Sequence, residues 1–206
     1  MELDDFYDTI DGVCEGIFRA KGSRFLAYAY PLNSEVQIKD ILLRLKSEHP
    51  KARHFCWAYR LSPDKSMFRV NDDGEPSGSA GRPILNTILS ENLTNVLVVV
   101  VRYFGGTLLG VPGLINAYKS ATIDALNNGK VVNKTVNNHY LVSFSYEATS
   151  QVMKIVKDEQ LNVLSQIFDI RCELGLEIRQ SKATEILLKL EHIEGVIMQI
   201  MTGKYD

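Results

Sequence analysis

The sequence lacks the features of a secreted protein. It has only three cysteines among 206 residues, Cys14, Cys56 and Cys172, and no two of them form a CxxC pair. An odd number of widely separated cysteines argues against a disulfide framework and against a closed zinc site. The first 15 residues carry six acidic side chains and no lysine or arginine, which is not the pattern of a signal peptide. We therefore expect a cytoplasmic protein.

Long apolar runs and strong charge are also missing. The longest apolar run, 96–101, is far too short to span a bilayer, so no membrane association is predicted. The net charge is only −2, but it is unevenly distributed. Residues 16–137 hold sixteen basic and nine acidic side chains, a local net charge of +7. Such an excess is compatible with binding to a polyanion.

The hydrophobic pattern predicts an α+β protein. Apolar residues with helical spacing indicate helices near 34–48, 82–91 and 112–128, and Pro50 ends the first of them. Strands are predicted at 13–20, 23–32, 54–61, 67–70, 95–103 and 130–136. The run 95–103 is almost continuously apolar and β-branched, which is typical of a central strand buried on both faces.

The last part of the chain has a simpler order. Alternating residues from 139 to 147 place Tyr140, Val142, Phe144 and Tyr146 on one face of a strand. A helix, two strands, a second helix and a final strand follow, which gives the ferredoxin-like order βαββαβ. We therefore predict two domains, 1–137 and 138–206.

The run 71–85, NDDGEPSGSAGRPIL, is the most unusual stretch. Asp72, Asp73 and Glu75 offer oxygen ligands to a hard cation, but their spacing is not that of an EF-hand loop. The glycines ahead of a helix that starts near Arg82 allow an anion cradle at the helix N-terminus, although the loop has no Walker lysine. A structural loop or a docking surface for a partner is the third interpretation.

Two further stretches carry possible chemistry. Basic residues alternate with aromatic residues at 51–60, which suits phosphate contacts and base stacking or, alternatively, aromatic side chains facing a core. In the same strand His54 and Cys56 share a face, but no third catalytic group is identifiable. The stretch RYFGG from Arg102 follows a buried strand and is either a functional edge of the sheet or a sharp bend.

The chain resembles the YigZ/IMPACT family in four stretches, in this order: KGSRFLA, RHFCWAYR, DDGEPSGSAGRPIL and NVLVVVVRYFGGTLLG. The resemblance implies an N-terminal domain similar to domain IV of elongation factor G, with a mixed sheet containing a βαβ unit. It implies a ferredoxin-like second domain similar to domain V of that factor. It also implies contact with RNA or the ribosome. Eukaryotic members restrain a translation kinase, a role that involves an additional N-terminal domain and is not carried over.

One stretch departs from the family pattern. Family members usually have a glycine pair after LLG, whereas this chain has Val111 and Pro112. Proline removes one backbone N–H donor, which weakens a phosphate cradle at this point and suits the first turn of a helix equally well.

The sequence thus predicts a non-enzymatic protein that binds RNA or the ribosome and regulates translation, with no cofactor, no metal ligands and no catalytic residues. The alternatives are a hydrolase that uses Asp72, Asp73, Glu75 and His54, and a module that docks a translation-factor partner. The candidate contact residues are Arg24, Arg53, His54, Arg60, Asp72, Asp73, Glu75, Ser77, Gly78, Gly81, Arg82, Arg102, Gly105, Gly106 and Lys119.

Overall fold

The computed structural model describes residues 5–201, and its internal contacts divide the chain into two compact units. The N-terminal unit spans Tyr7–Lys134. The described residues of the C-terminal unit are Asp5, Phe6 and 135–201. The contact-based division falls a few residues before the expected one, and the two domains 1–137 and 138–206 stay a prediction. No helix within the described range is long and apolar enough to cross a membrane.

The N-terminal unit is built on a five-stranded sheet with the order β2-β3-β6-β4-β5. Its elements in chain order are β1 (Phe6–Ile10), β2 (Cys14–Ala20), β3 (Ser23–Pro31), α1 (Val36–Glu48), β4 (His54–Leu61), β5 (Met67–Asn71), α2 (Gly81–Ser90), β6 (Val96–Tyr103), α3 (Gly110–Asn127) and β7 (Val131–Thr135). The strands β1 and β7 form a separate two-stranded sheet.

All neighbouring strands in the five-stranded sheet are antiparallel. The expected βαβ unit is nevertheless present, because β3, α1 and β4 form a crossover whose two strands lie on either side of β6. The sheet was expected to be mixed, but no two neighbouring strands in it are parallel. Strands β3 and β4 run parallel to each other and are separated by β6. The α+β class is confirmed.

Strand β6 contributes to a hydrophobic core on each face of the sheet. Its apolar residues from Val96 to Val101 are completely buried, as the continuous apolar run predicts. Alternate side chains face α2 and α3 on one side of the sheet and α1 on the other. Phe55 and Tyr59 of β4 are buried on the α1 side, and the partly buried Trp57 packs against the same cluster, which supports the alternative that the aromatic residues of this strand face the core.

The C-terminal unit has the ferredoxin-like order predicted from its sequence. Its elements are β8 (Asn137–Ser145), a 3-10 turn (Tyr146–Ala148), α4 (Thr149–Asp158), β9 (Asn162–Ile167), β10 (Arg171–Arg179), α5 (Gln180–Glu191) and β11 (Ile197–Ile200). The sheet order is β11-β8-β10-β9, with every pair antiparallel. The helices cover the face that carries Tyr140, Val142 and Phe144. Tyr146 does not join them: it lies in the 3-10 turn and is 70% exposed.

Candidate functional site

Most of the proposed contact residues come from segments that meet at one end of the five-stranded sheet. Here β2 turns into β3, β4 begins, and β5 and β6 end. Arg24 pairs with Tyr103 across β3 and β6, and His54 pairs with Arg102 across β4 and β6. The backbone N–H of Arg53 donates to the carbonyl of Arg102 over 3.2 Å. We call this end of the sheet, where these strands begin and finish, the loop end.

Arg102 is buried at the loop end rather than exposed for contact. Its Nη1 donates to Oε1 of Glu75 over 2.6 Å, and the two side chains are only 6% and 4% exposed. The guanidinium lies over the rings of Phe25 and Phe104 at 5.3 and 5.5 Å. Its role as a surface contact was therefore predicted wrongly, because Glu75, which lies far from it in sequence, neutralises it inside the fold.

Glu75 also ties the loop to helix α3. The hydroxyl of Tyr118 donates to Oε1 of Glu75 over 2.8 Å, and the Cys56 Sγ lies 3.2 Å from the same hydroxyl. Burial raises the pKa of Tyr118 and the pKa of the Cys56 thiol. A thiol that stays protonated is a poor nucleophile. Cys56 is thus part of a buried chain of polar side chains with Tyr118 and Glu75.

Asp72 caps helix α2 from within the loop. Its carboxylate accepts hydrogen bonds from the backbone N–H groups of Gly78, Ala80 and Gly81 over 2.9, 3.1 and 2.8 Å. A carboxylate at this position compensates both the free N–H groups and the positive end of the helix dipole. The anion cradle that the glycines suggested is therefore occupied by the carboxylate of the chain itself.

Asp73 serves the start of β4. Its Oδ2 accepts from the N–H of Phe55 over 2.7 Å, and its carbonyl accepts from Nδ1 of His54 over 2.8 Å. Asp72, Asp73 and Glu75 thus bond three separate sets of donors instead of converging. Between residues 5 and 201 no group of three or more His, Cys, Asp or Glu side chains is placed to hold a metal ion.

Positive charge remains exposed at the turn between β2 and β3. Lys21 and Gly22 have φ values of 44° and 80°, as a type I′ turn requires, and this turn places Arg19 directly opposite Arg24. Residues 19–24 line a surface pocket of about 510 Å³. With Arg53, which is exposed beside the end of β6, these side chains form the basic cluster: Arg19, Lys21, Arg24 and Arg53.

Arg19 and Lys21 were missed by the sequence reasoning. The signal was available, because a two-residue turn at Lys21 and Gly22 fixes the pairing of Arg19 with Arg24.

Aromatic side chains lie beside the basic cluster. The Arg24 guanidinium is 4.8 Å from the centre of the Tyr103 ring, a cation–π contact that holds the arginine in place. The Tyr103 hydroxyl is 2.8 Å from Nδ1 of His49, whose Nε2 is 2.9 Å from the hydroxyl of Tyr28. The next residue, Phe104, is 49% exposed. The loop end thus presents fixed cations and an accessible ring.

Gly105 allows the turn and the loop after β6 to approach each other. A Cβ at this position would lie 2.0 Å from the carbonyl carbon of Gly22, and the Gly105 N–H donates to Oγ of Ser23 over 3.1 Å. Gly106 has a φ of 85° and no close neighbour around its missing Cβ. Gly105 thus sets how closely the loop after β6 approaches the turn between β2 and β3.

The remaining predicted residues lie apart from the basic cluster. Arg60 sits near the opposite end of β4, pairs with Val96, and donates to the carbonyl of Leu93 over 3.3 Å, so it does not join the loop end. Ser77 is exposed in the loop, while Arg82 and Lys119 are exposed beside a groove between α2 and α3.

Comparisons with known proteins agree with the arrangement of motifs. Residues 21–126 match the Impact N-terminal domain. The chain is 33% identical to the IMPACT family member of Haemophilus influenzae over 162 residues, 78% of this chain and 79% of the relative. It is 27% identical to YigZ of Escherichia coli over 183 residues, 88% of this chain and 90% of the relative. The crystal structure of a hypothetical protein matches with a TM-score of 0.73 and 25% identity, over 99% of this chain and 100% of the other.

Proposed function

Because the chain belongs to the IMPACT family, we propose that it binds RNA or the ribosome through the loop end of the five-stranded sheet and thereby regulates translation in the cytoplasm. The observation that carries the proposal is the exposed basic cluster, with the exposed ring of Phe104 at the same end of the sheet. Phosphate groups supply most of the affinity of nucleic-acid binding, and aromatic side chains stack on unpaired bases.

The pairing of Arg19 with Arg24 supports a binding role. These two cations lie directly opposite each other in neighbouring strands. Like charges in that position destabilise a sheet, so stability alone gives no reason to place them together. An anion between the two side chains, such as a phosphate, removes the repulsion and makes the pair favourable.

The hydrogen bonds of the loop carboxylates also support it. Three acids so close to a cationic surface would repel a phosphate if they pointed outward. Instead Asp72 is bonded to three N–H groups and Glu75 is buried against Arg102. Asp73 directs one oxygen to the N–H of Phe55. Their negative charge is therefore largely compensated within the loop.

The ring of Phe104 offers a stacking surface that unpaired bases can use and paired bases of a duplex cannot. The ring is half exposed just after β6, and the guanidinium of the buried Arg102 lies 5.5 Å from its centre. Unpaired bases stack on such rings, with about 1–3 kcal/mol per base. We therefore expect single-stranded segments of RNA to bind more tightly than a continuous duplex.

The hydrolase alternative receives no specific support from the geometry. The carboxylates of Asp72, Asp73 and Glu75 accept hydrogen bonds from different groups of the protein itself. His54 donates from Nδ1 to a backbone carbonyl. It remains a hypothesis that these residues hydrolyse a substrate.

Co-sedimentation with ribosomes tests the proposal. The wild type should pellet with ribosomes at low salt, and the double variant Arg24→Ala, Arg53→Ala should stay mainly in the supernatant. A matched control, Lys39→Ala with Lys154→Ala, removes two exposed cations outside the loop end. Equal sedimentation of both variants, or none of the wild type with either ribosomes or free RNA, would contradict the proposal.

A further inference from the structure

Helices α2 and α3 border a groove that lies outside the basic cluster. Its volume is about 330 Å³. The residues that line it are Gly78, Arg82, Pro83, Asn86, Thr87, Ser90, Ile115 and Lys119. We call it the α2–α3 groove.

The wall on α2 is polar. Arg82, Asn86 and Ser90 follow one another at intervals of four residues, so they form a single row along the helix. All three are exposed. The row presents one guanidinium, one amide and one hydroxyl to any occupant, which is a set of hydrogen-bonding groups and a single positive charge.

The wall on α3 consists of Ile115 and Lys119, and Val111 continues the same row beyond the residues that line the groove. Val111, Ile115 and Lys119 are also spaced four residues apart, and Val111 and Ile115 are 47% and 40% exposed. Leu108, in the segment before α3, is 81% exposed but is not part of this helical row. Val111 and Ile115 thus form a short apolar stripe, and covering such a stripe is favourable by about 25 cal/mol for each Å² removed from water.

Both charges of the groove are positive and uncompensated. Neither Arg82 nor Lys119 takes part in an ion pair within residues 5–201, and no acidic side chain lines the groove. Asp72, which lies close to Gly78, directs its oxygens to backbone N–H groups instead. An acidic occupant is therefore the complementary one.

We propose that the α2–α3 groove binds an acidic amphipathic helix of a partner protein. Apolar residues of that helix at intervals of three and four cover Val111 and Ile115. Its acidic residues pair with Arg82 and Lys119. This is the helix-in-groove mode, in which apolar anchors supply affinity and charges set orientation. An RNA backbone fits less well, since phosphates would have to cover the apolar row.

The surface is separate from the proposed RNA contact. The basic cluster is carried by β2, β3 and the segment before β4, whereas the groove is carried by α2 and α3. Binding of a peptide and binding of RNA can therefore be measured and lost independently. The inference does not depend on the RNA proposal.

A selection from a random peptide library of 16 residues, with the full chain as target, tests the inference. We expect enrichment of acidic sequences with apolar residues three and four apart. Ile115→Asp should weaken the selected peptides at least tenfold, as should the charge reversal Arg82→Glu with Lys119→Glu. The substituted residues are all exposed, and circular dichroism verifies that each variant is folded.

Several results of this selection would overturn the inference. The inference is overturned if no sequence is enriched, if the enriched sequences are not acidic, or if they bind the groove variants as tightly as the wild type. It is also overturned if Arg82→Glu with Lys119→Glu leaves peptide binding intact and abolishes RNA binding, because the groove would then belong to the RNA surface. Arg24→Ala with Arg53→Ala is the control that should retain peptide binding.

Discussion

The carboxylate of Glu75 lies 2.6 Å from Nη1 of Arg102, and both side chains are almost completely buried. This contact fixes the loop after β5 against the end of β6. It also means that Glu75 and Arg102, both predicted from the sequence as contact residues, are not on the accessible surface. The exposed basic cluster, rather than Arg102, is left as the part of the loop end that can bind an anion.

We predict that Glu75→Ala destabilises the N-terminal unit by about 3–5 kcal/mol, because it leaves the buried Arg102 guanidinium without a counter-ion. Urea unfolding measures the change. The control is Glu91→Ala, which removes an exposed glutamate just after α2 and should change stability by less than about 0.5 kcal/mol. Similar stability of the two variants would show that the buried pair does not hold the loop.

Removing the Asp72 carboxylate should loosen the start of α2. We expect Asp72→Ala to lower the free energy of unfolding by about 1–2 kcal/mol, the usual range for the loss of a helix cap. The amides of Gly78, Ala80 and Gly81 should then exchange with solvent faster, which NMR can follow residue by residue. Asp40→Ala, at an exposed position in α1, is the control. Unchanged exchange at these three amides would argue against the cap.

A side chain at residue 105 should displace the turn between β2 and β3. In Gly105→Ala the new Cβ would meet the carbonyl carbon of Gly22 at 2.0 Å, so the backbone must move. We expect a loss of about 2–3 kcal/mol of stability and weaker RNA binding. Gly106→Ala has room for its Cβ and only the strain of a φ of 85°, so about 1 kcal/mol is expected. Equal effects of both would contradict the close approach.

Most elements of the fold could be predicted from the sequence, because each is indicated by the hydrophobic pattern of its own residues. The apolar run of β6 predicts a buried central strand, and the alternation in β10 predicts the core face of the ferredoxin-like sheet. Strand β1 was not predicted. It pairs with β7, more than a hundred residues later, and nothing within residues 6–10 indicates that partner.

The site was less readable for the same physical reason. The burial of Arg102 depends on Glu75, and the role of Cys56 depends on Tyr118, contacts that arise only when distant segments pack together. Arg60 was grouped with His54 because both belong to β4, but they lie near opposite ends of that strand. Motif membership therefore identified segments that meet at the loop end, without showing which of their side chains are exposed.

The ion pair between Asp5 and Arg179 should make the stability of the C-terminal unit depend on pH in the acid range. The Nε and Nη2 of Arg179 donate to the two oxygens of Asp5 over 2.7 Å each, and these bonds hold the pKa of Asp5 well below its ordinary value of 3.8. A lowered pKa in the folded state contributes stability above pH 3.8, and this contribution is lost as the pH falls towards the lowered pKa.

Asp5→Asn should therefore destabilise this unit by about 2 kcal/mol at pH 7. The difference from the wild type should narrow steadily below pH 3.8. Urea unfolding at several pH values measures it, with Asp158→Asn, at the exposed end of α4, as control. A difference that stays constant with pH would show that the charge of Asp5 is not responsible.

The salt dependence of RNA binding tests the central claim most directly. Fluorescence anisotropy with a labelled single-stranded RNA gives the dissociation constant at several salt concentrations. For the wild type, the logarithm of the affinity should fall linearly with the logarithm of salt concentration. In Arg24→Ala with Arg53→Ala the slope should be smaller by about 1 for each phosphate contact removed. No binding at low salt, or an identical slope in the variant, would contradict an RNA contact at the basic cluster.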